Sequence, residues 1–254
     1  MEILCVANQK GGVGKSTLTV HLAYAALDAG KRVLLVDMDK QASLSSSFIA
    51  NDGAVPGIVA SELYGLSPDS LPPERITDKL SIIRADSGLL TIDKAENNVI
   101  RNPSKALRKF DHDFDICLID TPPMLGIRLM ASLAASDFVI TPVNVGLFEL
   151  LGLSDLINTL HVVITQGINP RLKHIGIQLM KSNNRSKGQQ TALAMLRERY
   201  GSAILPDTLP EREAVRKAIG LRVPVWVNTS GGGHLKAANE WKIACAAILK
   251  IVLK

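Results

Sequence analysis

The sequence predicts a doubly wound α/β fold, a mostly parallel sheet flanked by helices, formed as a single domain over residues 1–254. Three observations lead there. Short apolar runs recur along the chain without alternating with polar residues, as in strands buried on both faces. Stretches of helical periodicity separate them, and strand–helix alternation is the pattern of a parallel sheet. Hydrophobic content of 46% with 21% charged residues suits a globular chain and excludes a disordered or fibrous one.

In chain order, the predicted strands are 3–7, ending at a glycine-rich turn, 33–36, ending at Asp37, and 116–119, ending at Asp120. A fourth covers 138–140 and ends at Thr141-Pro142, and a fifth covers 175–180. Helices are expected at 16–29, where Leu18 and Leu22 share a face and Gly30 stands at the C-cap, and at 149–166, 188–200 and 235–253. A shorter one is expected near 211–219. The stretch 51–79, with several prolines, glycines and serines, is expected to be a long excursion with a short helix near 59–64. Such sheets bind ligands at the C-terminal ends of their strands, which directs attention to the residues just after 7, 36, 119 and 142.

Composition narrows the function. Aromatics make up 4% of the chain, too few for a platform that stacks single-stranded bases. The three cysteines, Cys5, Cys117 and Cys245, show no C-x-x-C spacing and read as buried thiols. No basic leader with a small-residue cleavage site opens the chain, and no apolar run is long enough to span a bilayer. The net charge of +5 is unevenly distributed. Residues 1–170 hold 14 basic and 19 acidic side chains, while residues 171–254 hold 15 and 5. A basic C-terminal third suggests a surface that faces a polyanion.

The first strand runs into Asn8-Gln9-Lys10-Gly11-Gly12-Val13-Gly14-Lys15-Ser16-Thr17. Glycines there let backbone amides turn toward phosphate oxygens, and the following helix offers its positive end to the same anion. Lys15 is placed to reach β- and γ-phosphates, Ser16 to hold Mg2+, and Thr17 to meet the α-phosphate of ATP. The ordinary phosphate-loop pattern would have glycine where Gln9 stands, and a second lysine, Lys10, sits beside it. In this the loop resembles the deviant Walker A family, K-G-G-x-G-K-S/T, which includes the ParA and MinD ATPases. The resemblance covers Glu2 to about Val225 and implies a deviant P-loop NTPase that hydrolyses ATP. It also implies that Lys10 crosses a dimer interface to the partner's nucleotide.

Asp37-Met38-Asp39-Lys40-Gln41 resembles the D-x-D-P-Q segment of that family. The resemblance gives Asp39 the task of orienting the attacking water and Asp37 that of supporting the metal's water shell, with Gln41 in the same switch. Lys40 replaces the usual proline. Asp120-Thr121-Pro122-Pro123 resembles the D-T-P-P of the Walker B strand. Asp120 is then a Mg2+ carboxylate, and Thr121 and Pro122 belong to a second switch that senses the γ-phosphate. The five histidines are scattered and form no catalytic order.

The base pocket implied by the resemblance comprises Lys181 and Asn183 on one side and Leu209, Pro210 and Glu211 on the other. The chain is similar to the short ParA proteins, without room for an N-terminal helix-turn-helix. That similarity implies an ATP-bound homodimer on non-specific double-stranded DNA, a ParB-like centromere-binding protein that stimulates hydrolysis, and a cytoplasmic, nucleoid-associated location. Candidate DNA contacts are Arg185, Lys187, Arg212, Arg216, Lys217, Arg222 and Lys236. One alternative is a MinD-like ATPase that cycles on membranes through the last helix. That helix is apolar nearly all round, which is a packed helix's pattern more than an interfacial one. A non-catalytic, nucleotide-gated scaffold is the other alternative.

Overall fold

The computed structural model describes residues 1–50, 56–65, 71–146, 149–182 and 187–254. Its centre is an eight-stranded sheet. In chain order the strands are β1 (Glu2–Val6), β2 (Val33–Asp37), β3 (Glu74–Thr77), β4 (Leu80–Ile83), β5 (Ile116–Asp120), β6 (Phe138–Asn144), β7 (Lys173–Ser182) and β8 (Ile204–Pro210). Across the sheet they run β3-β4-β2-β5-β1-β6-β7-β8, and every pairing is parallel except that of β3 with β4. The doubly wound class is the one the apolar runs predict.

The helices are α1 (Lys15–Asp28), α2 (Ser43–Phe48), α3 (Leu89–Ile92), α4 (Asn102–Leu107), α5 (Ile127–Ala135), α6 (Glu149–Thr165), α7 (Lys187–Tyr200), α8 (Glu213–Gly220) and α9 (Gly231–Val252). Alternate strand residues face opposite layers. Leu4, Val6, Leu35 and Leu118 pack with Leu18 and Leu22 of α1 and with Trp241, Cys245 and Ile248 of α9. Ile3, Leu34, Val36, Cys117 and Ile119 pack on the other side with Leu63, Leu89, Leu107 and Ala131. Since both faces are covered, the central strands carry apolar residues at every position but their ends and show no polar alternation.

Seven elements, α2 to α5 and β3, β4 and β8, lie where the sequence suggests none. The excursion at 51–79 does contain the short helix, a 3-10 turn at Ala60–Tyr64, but it also holds β3 and leads into β4. Residues 51–55 and 66–70 of it lie outside the described residues. β8 was hidden because it is an edge strand, only partly buried and interrupted by Pro206 and Pro210, which an edge tolerates. α5 is only nine residues long and buried along most of its length, so its periodicity is too brief to mark it out. In addition, β6 continues through Pro142 to Asn144; its pairing with β1 stops at Ile140.

Trp241, Cys245, Ile248 and Val252 of α9 are at most 2% exposed, so the apolar face of that helix is core. Among the described residues no helix is long and apolar enough to cross a membrane. All three cysteines are buried and free, and burial pushes each thiol pKa upward.

Candidate functional site

The strand order places β1 between β5 and β6, where the winding reverses, and a crevice opens at the C-terminal ends of these strands. The loop between β1 and α1 lies there. Its backbone is left-handed at Gly12 (φ 72°) and Gly14 (φ 92°). A Cβ on Gly14 would also come within 2.8 Å of the Met180 methyl, the mobile end of a side chain, so it is the backbone conformation that demands glycine. Gly14 caps α1, and its carbonyl accepts the Leu18 amide at 2.9 Å.

Side chains before the glycines anchor the loop. Asn8 Nδ2 donates to the Pro142 carbonyl on β6 at 2.8 Å, while Asn8 Oδ1 accepts the Lys10 amide at 2.8 Å. Gln9, which replaces the first glycine of the ordinary pattern, donates from Nε2 to Thr159 Oγ1 on α6 at 2.9 Å. Lys15 is 7% exposed, and its ammonium donates to the Lys10 carbonyl at 3.1 Å. Burial lowers its pKa, against the opposing pull of Asp120 and Asp39.

Parallel register sets the carboxylates side by side. Asp37 at the end of β2 and Val6 at the end of β1 both pair with Asp120 at the end of β5. Asp120 is fully buried, and neither carboxylate oxygen has a hydrogen-bond partner among the described residues. Its pKa is raised, first by burial and then by the charge of Asp37, with Ser16 and Lys15 pulling the other way. Such an orphaned anion fits a cation. Among the described residues no three His, Cys, Asp or Glu side chains cluster to hold a metal by themselves. One carboxylate, a serine hydroxyl and substrate phosphates are the donor set that suits Mg2+.

Asp37 is engaged differently. Its Oδ2 accepts the Ser45 amide at 2.8 Å and the Ser45 hydroxyl at 2.7 Å, while Oδ1 accepts the Asp39 amide at 3.1 Å. It therefore holds the first turn of α2 and shapes the Asp37–Asp39 turn. Burial raises its pKa against these bonds. Asp39 lines the crevice, and its Oδ1 accepts the Gln41 amide at 3.1 Å. The Thr121 hydroxyl is buried and donates to the Val6 carbonyl at 2.9 Å, so it ties β5 to β1.

The crevice encloses about 640 Å³, within the range of small-molecule sites. Gly11, Gly12, Gly14, Lys15, Ser16, Thr17, Asp39 and Gln41 line one end, and Lys181, Leu209, Pro210 and Glu211 the other. Val13, Asp37, Asp120 and Thr121 lie behind this surface as buried supports. Lys181 Nζ donates to the Gly12 carbonyl at 2.8 Å and so joins the two ends. Asn183 lies outside the described residues. Sequence reasoning missed Met180, Val215, Ile219 and Trp241, which form an apolar wall of the pocket. Their periodicity marks them as buried, and only tertiary packing turns that face toward a ligand.

The basic candidates divide. Lys187, Lys217 and Lys236 are exposed. Arg216 is exposed and pairs with Glu213 at 2.7 Å. Arg212 forms a fork with Glu240, with contacts of 2.5 and 2.6 Å, and lines the pocket. Arg222 donates to the carbonyls of Ser46 and Ile49. Arg212 is thus half-buried and engaged by Glu240, whereas Arg222 stays exposed beside those carbonyls. Arg185 lies outside the described residues.

Comparison with known proteins agrees with this geometry. A family model described as an AAA domain matches residues 1–174. Protein IncC of Escherichia coli is 33% identical over 233 residues, covering 89% of this chain, which spans 63% of IncC. The chromosome-partitioning ATPase Soj of Thermus thermophilus is 32% identical over 235 residues, covering 91% of this chain and 90% of Soj. Among solved structures, cobyrinic acid a,c-diamide synthase from Mycobacterium smegmatis with bound ADP and magnesium matches with a TM-score of 0.81 at 27% identity, covering 98% of this chain and 94% of that one. With a matching domain model and a Soj alignment that runs nearly end to end, this chain belongs to the ParA/Soj-type family of P-loop ATPases.

Proposed function

We propose that this chain is an ATP-dependent DNA partition ATPase that works as one domain over residues 1–254. ATP binding builds a homodimer that holds double-stranded DNA without sequence preference, and a ParB-like partner stimulates hydrolysis and release. The observation that carries the reading is the pairing of a phosphate loop with the buried, unpartnered Asp120 across β1 and β5.

In this reading the amides of Gly11 to Thr17 cradle the phosphates, and Lys15 exchanges its bond to the Lys10 carbonyl for phosphate oxygens. Ser16 and Asp120 hold Mg2+, which when bound neutralises charge on the phosphates. Asp39 orients the water that attacks the γ-phosphorus, giving ADP and inorganic phosphate. Lys10 supplies a further positive charge to the partner's nucleotide, where negative charge develops. The apolar wall and Leu209-Pro210 receive the base. DNA contacts come from Lys187, Lys217 and Lys236, doubled by dimerisation.

The packing of α9 into the core supports DNA over a membrane as the surface on which this protein acts. Phosphate release with ATP and Mg2+, with and without DNA and a centromere-binding partner, tests the enzyme. Gel shifts with ATP, ADP and no nucleotide test the switch. Stimulated turnover and ATP-dependent binding are expected. Equal DNA binding in all three states would remove the switch, and no phosphate release under any condition would leave a scaffold.

A further inference from the structure

Asp37 and Asp39 are separated by Met38, whose backbone is held at both polar atoms. Its amide donates to the Asp120 carbonyl at 2.9 Å. Its carbonyl accepts a hydrogen bond from Nη1 of Arg128 at 2.9 Å. Arg128 lies in the first turn of α5, just past the Asp120–Gly126 loop, and is 4% exposed. The rest of its guanidinium forks onto Asp93, Nε to Oδ1 at 2.7 Å and Nη2 to Oδ2 at 2.8 Å. Burying a guanidinium is costly unless it is paired and its donors are used, so this contact set is a specific one.

A second tie runs parallel to the first. Ser45 Oγ donates to Asp37 Oδ2 and accepts the Ala85 amide at 3.2 Å. Ala85 follows β4, and Asp93 caps the C-terminus of α3 a little further on. The stretch from Ala85 to Asp93 therefore grips the Asp37–Asp39 turn twice, once through Ser45 and once through Arg128.

We propose that Arg128 is a positioning residue for hydrolysis. Neither Arg128 nor Asp93 lines the nucleotide crevice, so both act through the Met38 peptide. Arg128 fixes that peptide against β5 and thereby sets where the Asp39 carboxylate stands relative to Asp120. Asp93 holds the guanidinium in the required plane. This rests on the reading of Asp39 as the residue that orients water. Loss of the tether leaves the phosphate loop intact and lets the turn wander, and displacement of a reacting group by about 1 Å can lower turnover roughly 100-fold.

The test uses the full chain and the variants Arg128→Ala, Arg128→Lys, Asp93→Asn and Asp39→Ala, each checked by thermal melting. ATP turnover is measured with Mg2+, DNA and partner, ADP affinity by calorimetry, and amide hydrogen exchange by mass spectrometry. Arg128→Ala should lower kcat about tenfold or more with KM and ADP affinity nearly unchanged, and should speed exchange at residues 38–42 alone. Arg128→Lys, which keeps a donor for the Met38 carbonyl, should recover part of the loss, and Asp93→Asn should lie between. Asp39→Ala should lower kcat without loosening the turn.

A folded Arg128→Ala protein with wild-type kcat overturns the proposal. So does exchange that rises throughout the sheet, which is the mark of a merely structural residue. If Asp39→Ala hydrolyses ATP at the wild-type rate while Arg128→Ala does not, the role given to Asp39 fails and Arg128 does not act through it. A wild-type chain that releases no phosphate overturns the ATPase reading and this proposal together.

Discussion

His21, in the middle of α1, accepts the Val225 amide on Nε2 at 3.3 Å. Its Nδ1 donates to the Thr17 carbonyl at 2.8 Å, so the ring is neutral with both nitrogens in use. The Val225 carbonyl in turn accepts a hydrogen bond from His234 Nε2 at 2.8 Å, which fixes the approach to α9 from two helices. Protonating His21 would set an N–H against the Val225 N–H.

Burial holds the His21 pKa down to about 4, from an ordinary value of 6.5. Between these values the unfolded chain binds the proton and the folded chain does not, so stability falls as pH drops through 6.5 toward 4. The expected contribution is a loss of about 2 kcal/mol at pH 5 relative to pH 8. Urea unfolding at both values, compared with His21→Asn, checks it, and the variant should lose correspondingly less.

Asp120 carries the opposite lesson. Burial, and then the charge of Asp37, raises its folded pKa, so at neutral pH its carboxylate weakens the free protein. Asp120→Asn should raise the melting temperature by about 2–4 °C, the equivalent of roughly 1 kcal/mol in a chain of this size. The same variant should lose the Mg2+ dependence of nucleotide binding. A melting temperature that fell instead would mean the carboxylate is satisfied in solution.

The two lysines of the phosphate loop should separate by assay. Lys15→Ala removes a charge on the nucleotide's own phosphates and should weaken ATP binding about 10–100-fold. Lys10→Ala should keep ATP binding and lose stimulated turnover by about 100-fold or more, as for a charge supplied by a second subunit. Calorimetry and phosphate release on both variants read this directly; unchanged stimulated turnover in Lys10→Ala would remove the cross-subunit role.

DNA binding offers a contrast between exposed and occupied cations. Lys217→Ala and Lys236→Ala should each weaken binding and flatten its salt dependence by about one unit of slope. Arg212→Gln frees Glu240 from its fork and should cost about 1–3 kcal/mol of stability, with the salt slope unchanged. Fluorescence anisotropy over a salt series, beside denaturant unfolding, measures both.

The phosphate loop and the carboxylates at 37, 39 and 120 are legible in the sequence because each is a short motif fixed to the end of an apolar strand. Other features depend on residues distant in sequence. Arg128 is unremarked in the sequence because its partners, Asp93 and the Met38 carbonyl, are 35 and 90 positions away. Trp241 reads as core, correctly, but its place in the pocket wall exists only once α9 crosses α1. The charge count identifies a basic C-terminal third, and it cannot tell Lys217 from Arg212, since a count records sign and not partners. For the same reason the bonds that Ser45 makes to Asp37 are not visible in the sequence.

The direct pairing of Asp37 with Asp120 across neighbouring strands has an evolutionary consequence. The gap between the two acids is set by the ladder and is indifferent to how much chain intervenes. Lengthening or shortening the connection between Ala50 and Leu71 therefore leaves their spacing alone, whereas adding one residue within Val33–Val36 would slide the strand and exchange an acid for an aliphatic side chain. An insertion in the first place is compatible with an intact pair of acids, and one in the second is not.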